Sequence, residues 1–199
     1  STRFPGKPLI NINGKTMIQR VYEQVKKCQE ATDIIIATDD TKIYNHIKSF
    51  NGSAIMTLKN HISGTDRCNE VVKKINKKYD VIINIQGDEP IINPQQITKI
   101  INCFQNSSTE IVTLAKKNPS TKMIKDPNTV KVNFNENMIA TSFYRTQENP
   151  KNPGYKHIGI YGFKSEVLSQ ICKLPASENE VKFNLEQLRW LDNGYQIKI

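Results

Sequence analysis

The chain has 199 residues, which is enough for one large α/β domain or for one domain with a small appendage. Its 28 basic and 19 acidic side chains give a net charge of +9, which favours polyanionic partners such as nucleic acid or phosphorylated small molecules. No apolar run approaches the length of a membrane span, so we expect no membrane partner.

The basic residues are scattered along the chain and do not form one patch. Several lysines, including Lys26, Lys73 and Lys77, fall on the polar sides of predicted helices, where charge is usually solvated. The arginine-aromatic motifs of RNA- and DNA-binding proteins do not appear. We therefore expect a phosphorylated small molecule and no nucleic-acid partner, with a nucleic-acid binder as a distant alternative.

The four cysteines, Cys28, Cys68, Cys103 and Cys172, are far apart and contain no CxxC pair. Each lies in or near an apolar helical pattern, where a cysteine behaves as a small hydrophobic residue. A disulfide framework would be unusual in a chain of this length. The spacing therefore favours a reducing compartment, and we expect a cytoplasmic protein.

The first nine residues form a predicted loop with two prolines and one glycine. Arg3 and Lys7 on this loop could bind phosphates, the arginine through its forked guanidinium and the lysine as a point charge. A basic surface loop is the alternative. A Walker loop is excluded because its first glycine would fall at position 9, which is Leu9.

Strands and helices then alternate through the first hundred residues. Apolar runs at 34–38, 54–58 and 81–85 predict strands, and helical spacing at 17–28, 43–50 and 71–75 predicts helices. This order is typical of an α/β fold with a doubly wound, mostly parallel sheet. Ser63 or Thr65 could cap the third helix, whose N-terminal amides favour anions or polar base edges.

The strand at 81–85 is followed by Gly87, Asp88 and Glu89 on a turn. The continuous apolar run predicts a strand that is buried on both faces. Ligands of open α/β sheets bind beyond the carboxyl ends of the strands, so Asp88 is placed to handle a metal or a phosphate, and Gly87 would allow a close approach to a ligand. A solvated acidic turn is the alternative.

The pattern changes after residue 128. Period-two alternation at 129–134 and 138–145 around a turn at 135–137 predicts an antiparallel hairpin. A strand at 157–163, helices at 166–173 and 179–192 and a strand at 195–199 follow. We predict one domain, 1–199, with a small hairpin and mixed-strand segment at 129–163.

Five motifs in one order resemble the CMP-KDO synthetase family, the 3-deoxy-manno-octulosonate (KDO) cytidylyltransferases of lipopolysaccharide biosynthesis. They are Ser-Thr-Arg-Phe-Pro-Gly-Lys-Pro-Leu at 1–9, His-x-Ser-Gly-Thr-Asp-Arg at 61–67, Gln-Gly-Asp-Glu-Pro at 86–90, His-Ile-Gly-Ile-Tyr-Gly at 157–162 and Leu-Glu-Gln-Leu-Arg at 185–189. The last two point to the KDO branch. The resemblance implies a Rossmann-like nucleotidyltransferase fold and a homodimer.

The resemblance also implies the reaction and its cofactor. CTP and KDO would give CMP-KDO and pyrophosphate when the anomeric hydroxyl of the sugar acid attacks the α-phosphorus of CTP. Such transfers depend mainly on positioning and charge neutralisation. Mg²⁺ is the implied cofactor, and hard oxygen ligands suit it.

The motifs assign the candidate site residues in three groups. The catalytic group is Lys7, for the phosphates, and Asp88, as the Mg²⁺ ligand. The nucleotide-binding group is Arg3, Lys7, Ser63, Gly64 and Arg67. The sugar-acid group is Gln86, Arg145, His157, Tyr161, Glu186 and Gln187, with Arg145 a natural partner for the carboxylate.

The chain departs from the family pattern at both ends. The family normally begins with a strand and an Ile-Pro-Ala-Arg segment, and it carries a second metal aspartate in a Val-Asp-Thr-Pro-type segment; neither is present in this sequence. We therefore expect a partial sequence of an active enzyme. The alternatives are a CMP-activating synthetase for another sugar acid, such as a sialic-type sugar, and a non-catalytic nucleotide-binding module.

Overall fold

The computed structural model describes residues 6–117, 125–146 and 154–199. The chain divides into two compact units. The first unit comprises Ser1–Tyr79 and Asn84–Asn102, and the second unit comprises Asp80–Ile83 and Cys103–Ile199. A single domain over 1–199 stays a prediction.

The first unit contains a short 3-10 helix, Lys7–Leu9, and the predicted alternation of strands and helices. Its elements are β1 (Asn11–Ile12), β2 (Lys15–Thr16), α1 (Met17–Val25), β3 (Ile36–Thr38), α2 (Thr41–Ser49), β4 (Ala54–Met56), α3 (Gly64–Lys74) and α4 (Pro94–Cys103), whose last residue falls in the second unit. β1 and β2 pair antiparallel, and β3 and β4 pair parallel. The strands predicted at 34–38 and 54–58 and the helix predicted at 17–28 are confirmed with shorter ends, whereas α2 and α3 begin earlier than the spacing at 43–50 and 71–75 indicates.

Local side-chain chemistry explains where α2 begins and ends. Asp40 caps its N-terminus, because the carboxylate accepts a hydrogen bond of 2.7 Å from the amide of Lys42. The chain leaves the helix through Asn51, at φ 59°, and Gly52. A Cβ at Gly52 would lie 2.6 Å from Cγ2 of the buried Ile47, so the tight return over the helix requires glycine.

The second unit is built on a six-stranded mixed sheet with the order β10-β6-β9-β7-β8, in which β5 also pairs with β9. Its elements are β5 (Val81–Asn84, of which the first three residues belong here), β6 (Ile111–Lys117), β7 (Lys131–Phe134), β8 (Ala140–Tyr144), β9 (Tyr155–Lys164), α5 (Ser165–Ile171), α6 (Glu178–Phe183), α7 (Glu186–Asp192) and β10 (Ile197–Lys198). The predicted hairpin is confirmed as β7 and β8, which pair antiparallel with Val132 opposite Phe143.

The α/β class and the mixed sheet are confirmed, but the pairing is less parallel than the alternation predicts. Parallel ladders join β3 to β4 and β6 to β10, whereas β9 pairs antiparallel with β6 and β7. Residues 81–83 of β5 are half-buried, so burial on both faces was a wrong expectation. Among the described strands β5 pairs with β9 alone, which leaves its other edge without a neighbouring strand.

One predicted helix, 179–192, is two helices in the structure. Ser177 and Glu180 form a capping box at the start of α6, and Asn184 ends it in the left-handed conformation at φ 52°. Asparagine tolerates that conformation better than most residues, and Leu185 then turns into the core. α7 therefore begins at Glu186. None of the helices in the described ranges combines the length and apolar composition that crossing a bilayer requires.

Candidate functional site

An ion pair joins the opening loop to the turn after β5 in the first unit. Gly6 adopts a left-handed conformation at φ 75°, and the 3-10 helix that follows begins at Lys7. The Nζ atom of Lys7 lies 2.6 Å from Oδ2 of Asp88, and the two side chains are 36% and 45% exposed. A cation and a carboxylate that solvent can reach therefore share one place on the surface. Arg3 lies outside the described residues.

The turn that carries Asp88 is closed by a hydrogen bond of 3.3 Å from the amide of Glu89 to the carbonyl of Gln86. A Cβ added at Gly87 would lie 3.2 Å from Cδ1 of Ile18, on α1. Glycine at this position thus lets the turn pack closely against α1. The close approach of a ligand to Gly87 stays a prediction, and the structure gives a packing reason for glycine at this position.

The donor set around Asp88 fits a magnesium ion that is held mainly by water and phosphate oxygens. The carboxylate offers hard oxygen atoms and is accessible, and its partner in the described part of the chain is the Lys7 ammonium. No group of three or more potential metal-ligating side chains occurs within those residues. Mg²⁺ commonly uses one or two carboxylates together with substrate phosphates, so the Asp88 carboxylate fits the protein side of such a site.

Ser63 and Gly64 lie at the N-terminus of α3. The Ser63 hydroxyl accepts a hydrogen bond of 3.1 Å from the Asp66 amide and donates one of 2.9 Å to its carboxylate, so the capping role is confirmed. A Cβ at Gly64 would lie 3.2 Å from Nδ2 of Asn84 and 3.5 Å from Nε2 of Gln86. The missing side chain thus lets the helix start close to two amide groups.

Gln86, predicted for the sugar acid, is an exposed residue of the first unit beside Gly64. Arg67, predicted for the nucleotide, is held by protein groups. Its guanidinium donates to the hydroxyl of Thr57 and lies 3.3 Å both from the carbonyl of Leu58 and from Oδ2 of Asp39. Arg67 therefore ties the segments that follow β3 and β4 to α3, and its contact with a base stays a prediction.

The loop before α3 is anchored by a carboxylate that the sequence analysis did not single out. Glu70 accepts hydrogen bonds from the imidazole of His61, from Lys74 Nζ at 2.6 Å and from the amide of Leu58 at 3.0 Å. These bonds, the one from His61 foremost, lower the pKa of Glu70 from 4.5 to about 2. The ionised Glu70 thereby fixes both ends of the segment that precedes Ser63.

In the second unit, His157 is buried on β9. Its Nε2 atom lies 2.9 Å from the hydroxyl of Thr113 on β6, and the ring makes an edge contact with Phe143 at 5.2 Å between centroids. Burial lowers the pKa of His157 from 6.5 to about 4, because the charged form loses its hydration there. The imidazole is therefore neutral at physiological pH.

The ring of Tyr161 lies beside His157, at 5.3 Å between centroids, and meets Trp190 edge-on at 5.0 Å. Burial, followed by the charge of Glu186, raises the pKa of the Tyr161 phenol well above its usual value. The Tyr161 hydroxyl and the indole N–H of Trp190 are buried without a hydrogen-bond partner among the described residues. Trp190 is the single tryptophan of the chain.

Arg145 is half-buried at the end of β8. Its guanidinium donates long hydrogen bonds to the carbonyls of Pro127, at 3.5 Å, and Asn184, at 3.3 Å. Its own carbonyl accepts a hydrogen bond of 2.6 Å from Nζ of the fully buried Lys131. The arginine is thus held from both its main chain and its side chain.

α7 carries Glu186 and Gln187. Gln187 is 5% exposed, so its side chain lies in the interior of the second unit. Arg189, also buried, lies 3.3 Å from Glu186 Oε1 and 3.2 Å from Glu180 Oε2, so it links α6 to the start of α7. Three buried polar residues could not be identified from the sequence: Thr113, Lys131 and Arg189. A threonine inside an apolar strand, or a lysine in a strand of alternating polar and apolar residues, carries no signal of its burial.

Comparison with known proteins decides the family. The family model described as Cytidylyltransferase matches residues 1–199. The chain belongs to the cytidylyltransferase family. This confirms the family that the five motifs indicated.

Among individual cytidylyltransferases, the chain is 48% identical to the 3-deoxy-manno-octulosonate cytidylyltransferase of Parabacteroides distasonis, over all of the chain and 84% of that protein. It is 41% identical to the 8-amino-3,8-dideoxy-manno-octulosonate cytidylyltransferase of Shewanella pealeana, again over all of the chain and 84% of the relative. A solved structure of CMP:2-keto-3-deoxy-manno-octonic acid synthetase complexed with CTP superposes with a TM-score of 0.93 at 38% identity, over 100% of this chain and 83% of that one. This likeness confirms the nucleotidyltransferase fold.

Proposed function

We propose that the chain transfers CMP from CTP to 3-deoxy-D-manno-octulosonate, giving CMP-KDO and pyrophosphate, and so activates the sugar acid for lipopolysaccharide biosynthesis. The observation that carries the proposal is the pairing of Lys7 with Asp88 at 2.6 Å on an accessible turn. A phosphate-binding cation and a carboxylate suited to a metal stand together, as nucleotidyl transfer requires. Relatives that are named for this activity match over 100% and 99% of the chain.

Lys7 is the proposed partner of the triphosphate and of the departing pyrophosphate. Asp88 pairs with the Lys7 ammonium at 2.6 Å, and both side chains are accessible, so the ammonium would be able to bind phosphate oxygens. Gly64 at the N-terminus of α3 is the proposed contact of the cytidine, since a helix N-terminus attracts anions and polar acceptor groups. Arg3, Ser63 and Arg67 complete the proposed nucleotide group.

Asp88 would hold Mg²⁺. The bound ion would neutralise charge on the triphosphate and on the pyrophosphate as it leaves. The protein's own contribution is positional: the hydrogen-bonded turn from Gln86 to Glu89, packed on Ile18, presents the carboxylate in a fixed place. Fixed placement matters because positioning supplies most of the catalysis in such transfers.

The second unit carries most of the proposed sugar-acid group. Arg145 would pair with the carboxylate, since its fork can bind two carboxylate oxygens and its present hydrogen bonds are long. Tyr161, Glu186, Gln187 and the neutral His157 would serve the sugar hydroxyls.

Pyrophosphate release tests the proposal. The purified protein is incubated with CTP, Mg²⁺ and KDO, and the same reaction is run with UTP or ATP in place of CTP. We expect release with CTP alone among the three nucleotides, and only when the sugar acid is present. Binding of CTP without release for any sugar acid would instead favour the non-catalytic nucleotide-binding module.

A second candidate substrate is the 8-amino-3,8-dideoxy sugar acid, because relatives named for it are 41% identical over the full chain. Competition between KDO, the 8-amino sugar acid and a sialic-type acid gives the ratios of kcat/KM that decide the substrate. We expect KDO to be preferred. A preference for either of the others would keep the reaction type and change the substrate.

We further propose a cytoplasmic homodimer. No disulfide joins the four cysteines, all of which lie in the described residues, and this suits a reducing compartment. The dimer rests on the family resemblance, and light scattering on the purified protein tests it: a mass near that of one chain, 22.7 kDa, would contradict it.

A further inference from the structure

The antiparallel ladder between β6 and β9 in the second unit contains a bulge. Thr113 of β6 faces Tyr161 of β9, but its neighbour Leu114 faces Ile158, so Gly159 and Ile160 have no opposite residues. Bulges re-aim side chains and leave main-chain groups of the ladder unpaired. Here the bulge lies between His157 and Tyr161, two of the proposed sugar-acid residues.

The hydroxyl of Thr113 fills this bulge. It lies 2.8 Å from the carbonyl oxygen of Ile160, 3.1 Å from that of Ile158 and 2.9 Å from Nε2 of His157. Thr113 is fully buried, so protein groups must meet its hydrogen-bonding needs.

The number of hydrogen atoms decides the direction of each bond. A threonine hydroxyl has one proton to donate and two lone pairs that accept, whereas a carbonyl oxygen can only accept. The Thr113 proton must therefore go to the carbonyls of Ile158 and Ile160. The hydroxyl accepts from His157, so Nε2 of the imidazole carries the proton and Nδ1 carries the free lone pair.

We propose that Thr113 is a positioning residue that fixes His157 as the Nε2–H tautomer, so that Nδ1 accepts a hydrogen bond from a hydroxyl group of the sugar acid. The second half of this statement rests on the proposed function. Two residues would then bind different groups of the sugar acid: Arg145 would bind the carboxylate, and the neutral His157 would bind a hydroxyl group. The flanking rings of Phe143 and Tyr161 hold the imidazole and offer it no counter-charge.

The tautomer is measured first, on the ligand-free wild-type protein. Long-range ¹H–¹⁵N correlation NMR separates the protonated ring nitrogen from the bare one, and the chain has only 3 histidines. The spectrum of His157→Gln assigns the signal by its loss. We expect Nε2 protonated and Nδ1 bare at neutral pH. A protonated Nδ1, or an average of both tautomers, would overturn the role of Thr113.

The same signal tests the ligand contact. We expect the Nδ1 resonance to shift when KDO is added and to stay in place with CTP alone. If KDO is a substrate by pyrophosphate release but leaves Nδ1 unchanged, the hydroxyl contact is wrong while the proposed function stands. If the protein turns over no sugar acid, the proposed function fails, and the tautomer measurement still decides the role of Thr113.

Kinetics of matched variants separate positioning from simple structural support. Thr113→Val removes the hydroxyl at constant shape, and Thr113→Ser keeps it. Thr109→Val is the control, since Thr109 is also buried and donates to a carbonyl, that of Cys103 at 2.9 Å, without touching a histidine.

We expect Thr113→Val to raise the KM for the sugar acid by about tenfold, the loss of one good hydrogen bond, with the KM for CTP unchanged. Thr113→Ser should restore the wild-type value, and Thr109→Val should leave it unaltered. Equal effects of the two valine variants on the sugar-acid KM would reduce Thr113 to a structural residue. If Thr113→Val does not fold, the NMR spectrum of the wild-type protein and the sugar-acid KM of Thr113→Ser test the proposal.

Discussion

The ammonium group of Lys131 lies 2.6 Å from the main-chain oxygen of Arg145, and the lysine side chain is fully buried. The same ammonium donates a second hydrogen bond, also of 2.6 Å, to the carbonyl of Asp126. Burial lowers the pKa of Lys131, because the charged ammonium loses its hydration there. The lysine therefore links the main chain at Asp126 to the main chain at Arg145 and fixes the position of Arg145 after β8.

Replacing Lys131 by methionine keeps the unbranched aliphatic part of the side chain and removes both hydrogen bonds. We expect the free energy of unfolding to fall by about 1–3 kcal/mol, since two carbonyl groups lose their partner. We also expect the KM for the sugar acid to rise several-fold, because Arg145 is no longer held, while the KM for CTP stays constant. Chemical denaturation and steady-state pyrophosphate release measure the two effects.

Lys116→Met is the matched control, because Lys116 is an exposed lysine on a strand of the same unit. It should leave both quantities near their wild-type values. A double variant of Lys131→Met with Arg145→Ala gives a further check: the two changes should be less than additive in the sugar-acid KM. Full additivity would show that Lys131 does not act through Arg145.

Asp88→Asn should abolish most turnover and leave the fold intact. The substitution removes a carboxylate on an exposed turn, so the free energy of unfolding should change by less than about 1 kcal/mol. The rate should fall by about 100-fold or more, the usual effect of losing a group that stabilises charge in the transition state. Glu89→Gln, which removes the neighbouring exposed acid, is the control and should retain its rate. Turnover of Asp88→Asn within a few-fold of wild type would exclude Asp88 as a metal ligand.

Gly64→Ala tests the close packing at the start of α3. The new Cβ would lie 3.2 Å from Nδ2 of Asn84, which is tighter than an ordinary contact, so the amides around it must shift. We expect the KM for CTP to rise by about tenfold. Gly159→Ala serves as the control, because no atom lies within 4 Å of the corresponding Cβ. A CTP KM that is equal in both variants would remove Gly64 from the nucleotide group.

The order of the elements could be predicted from the sequence because local signals agree with the fold. Asp40 before α2 and Ser63 before α3 are capping residues by type, and both cap in the structure. The hairpin of β7 and β8 follows from period-two alternation. Two of the errors share a cause: the break at Asn184 depends on the burial of Leu185, and the half-burial of β5 depends on which strands pair with it, so both are tertiary effects.

Residues of the candidate site could be predicted only where they belong to a motif of the family. Lys7 and Asp88 are 81 positions apart, and the family motifs alone gave a reason to expect them together. The supporting residues stayed hidden because their roles depend on contacts across strands. Nothing near Thr113 in the sequence reveals that a bulge brings two carbonyls and an imidazole to its hydroxyl, and Lys131 stands in a pattern that predicts an exposed lysine.

The buried imidazole of His157 gives a pH dependence with a defined sign. Its pKa is about 4 in the folded protein against 6.5 for an ordinary histidine, so the unfolded chain binds its proton first as the pH falls. The stabilising contribution is complete above about pH 6.5 and is lost as the pH falls to about 4, with a slope of about 1.4 kcal/mol per pH unit inside that window.

Denaturation curves of the wild-type protein and of His157→Gln, recorded at steps across this window, isolate that contribution, because the carboxyl groups titrate alike in both proteins. The difference in unfolding free energy should change by about 3 kcal/mol in total, with the wild type losing more stability than the variant as the pH falls. The same neutral imidazole predicts that the sugar-acid KM is constant from pH 8 down to about 6, since no proton is taken up at Nδ1. Curves that run parallel through the window would mean that His157 titrates normally and is not buried as a neutral group.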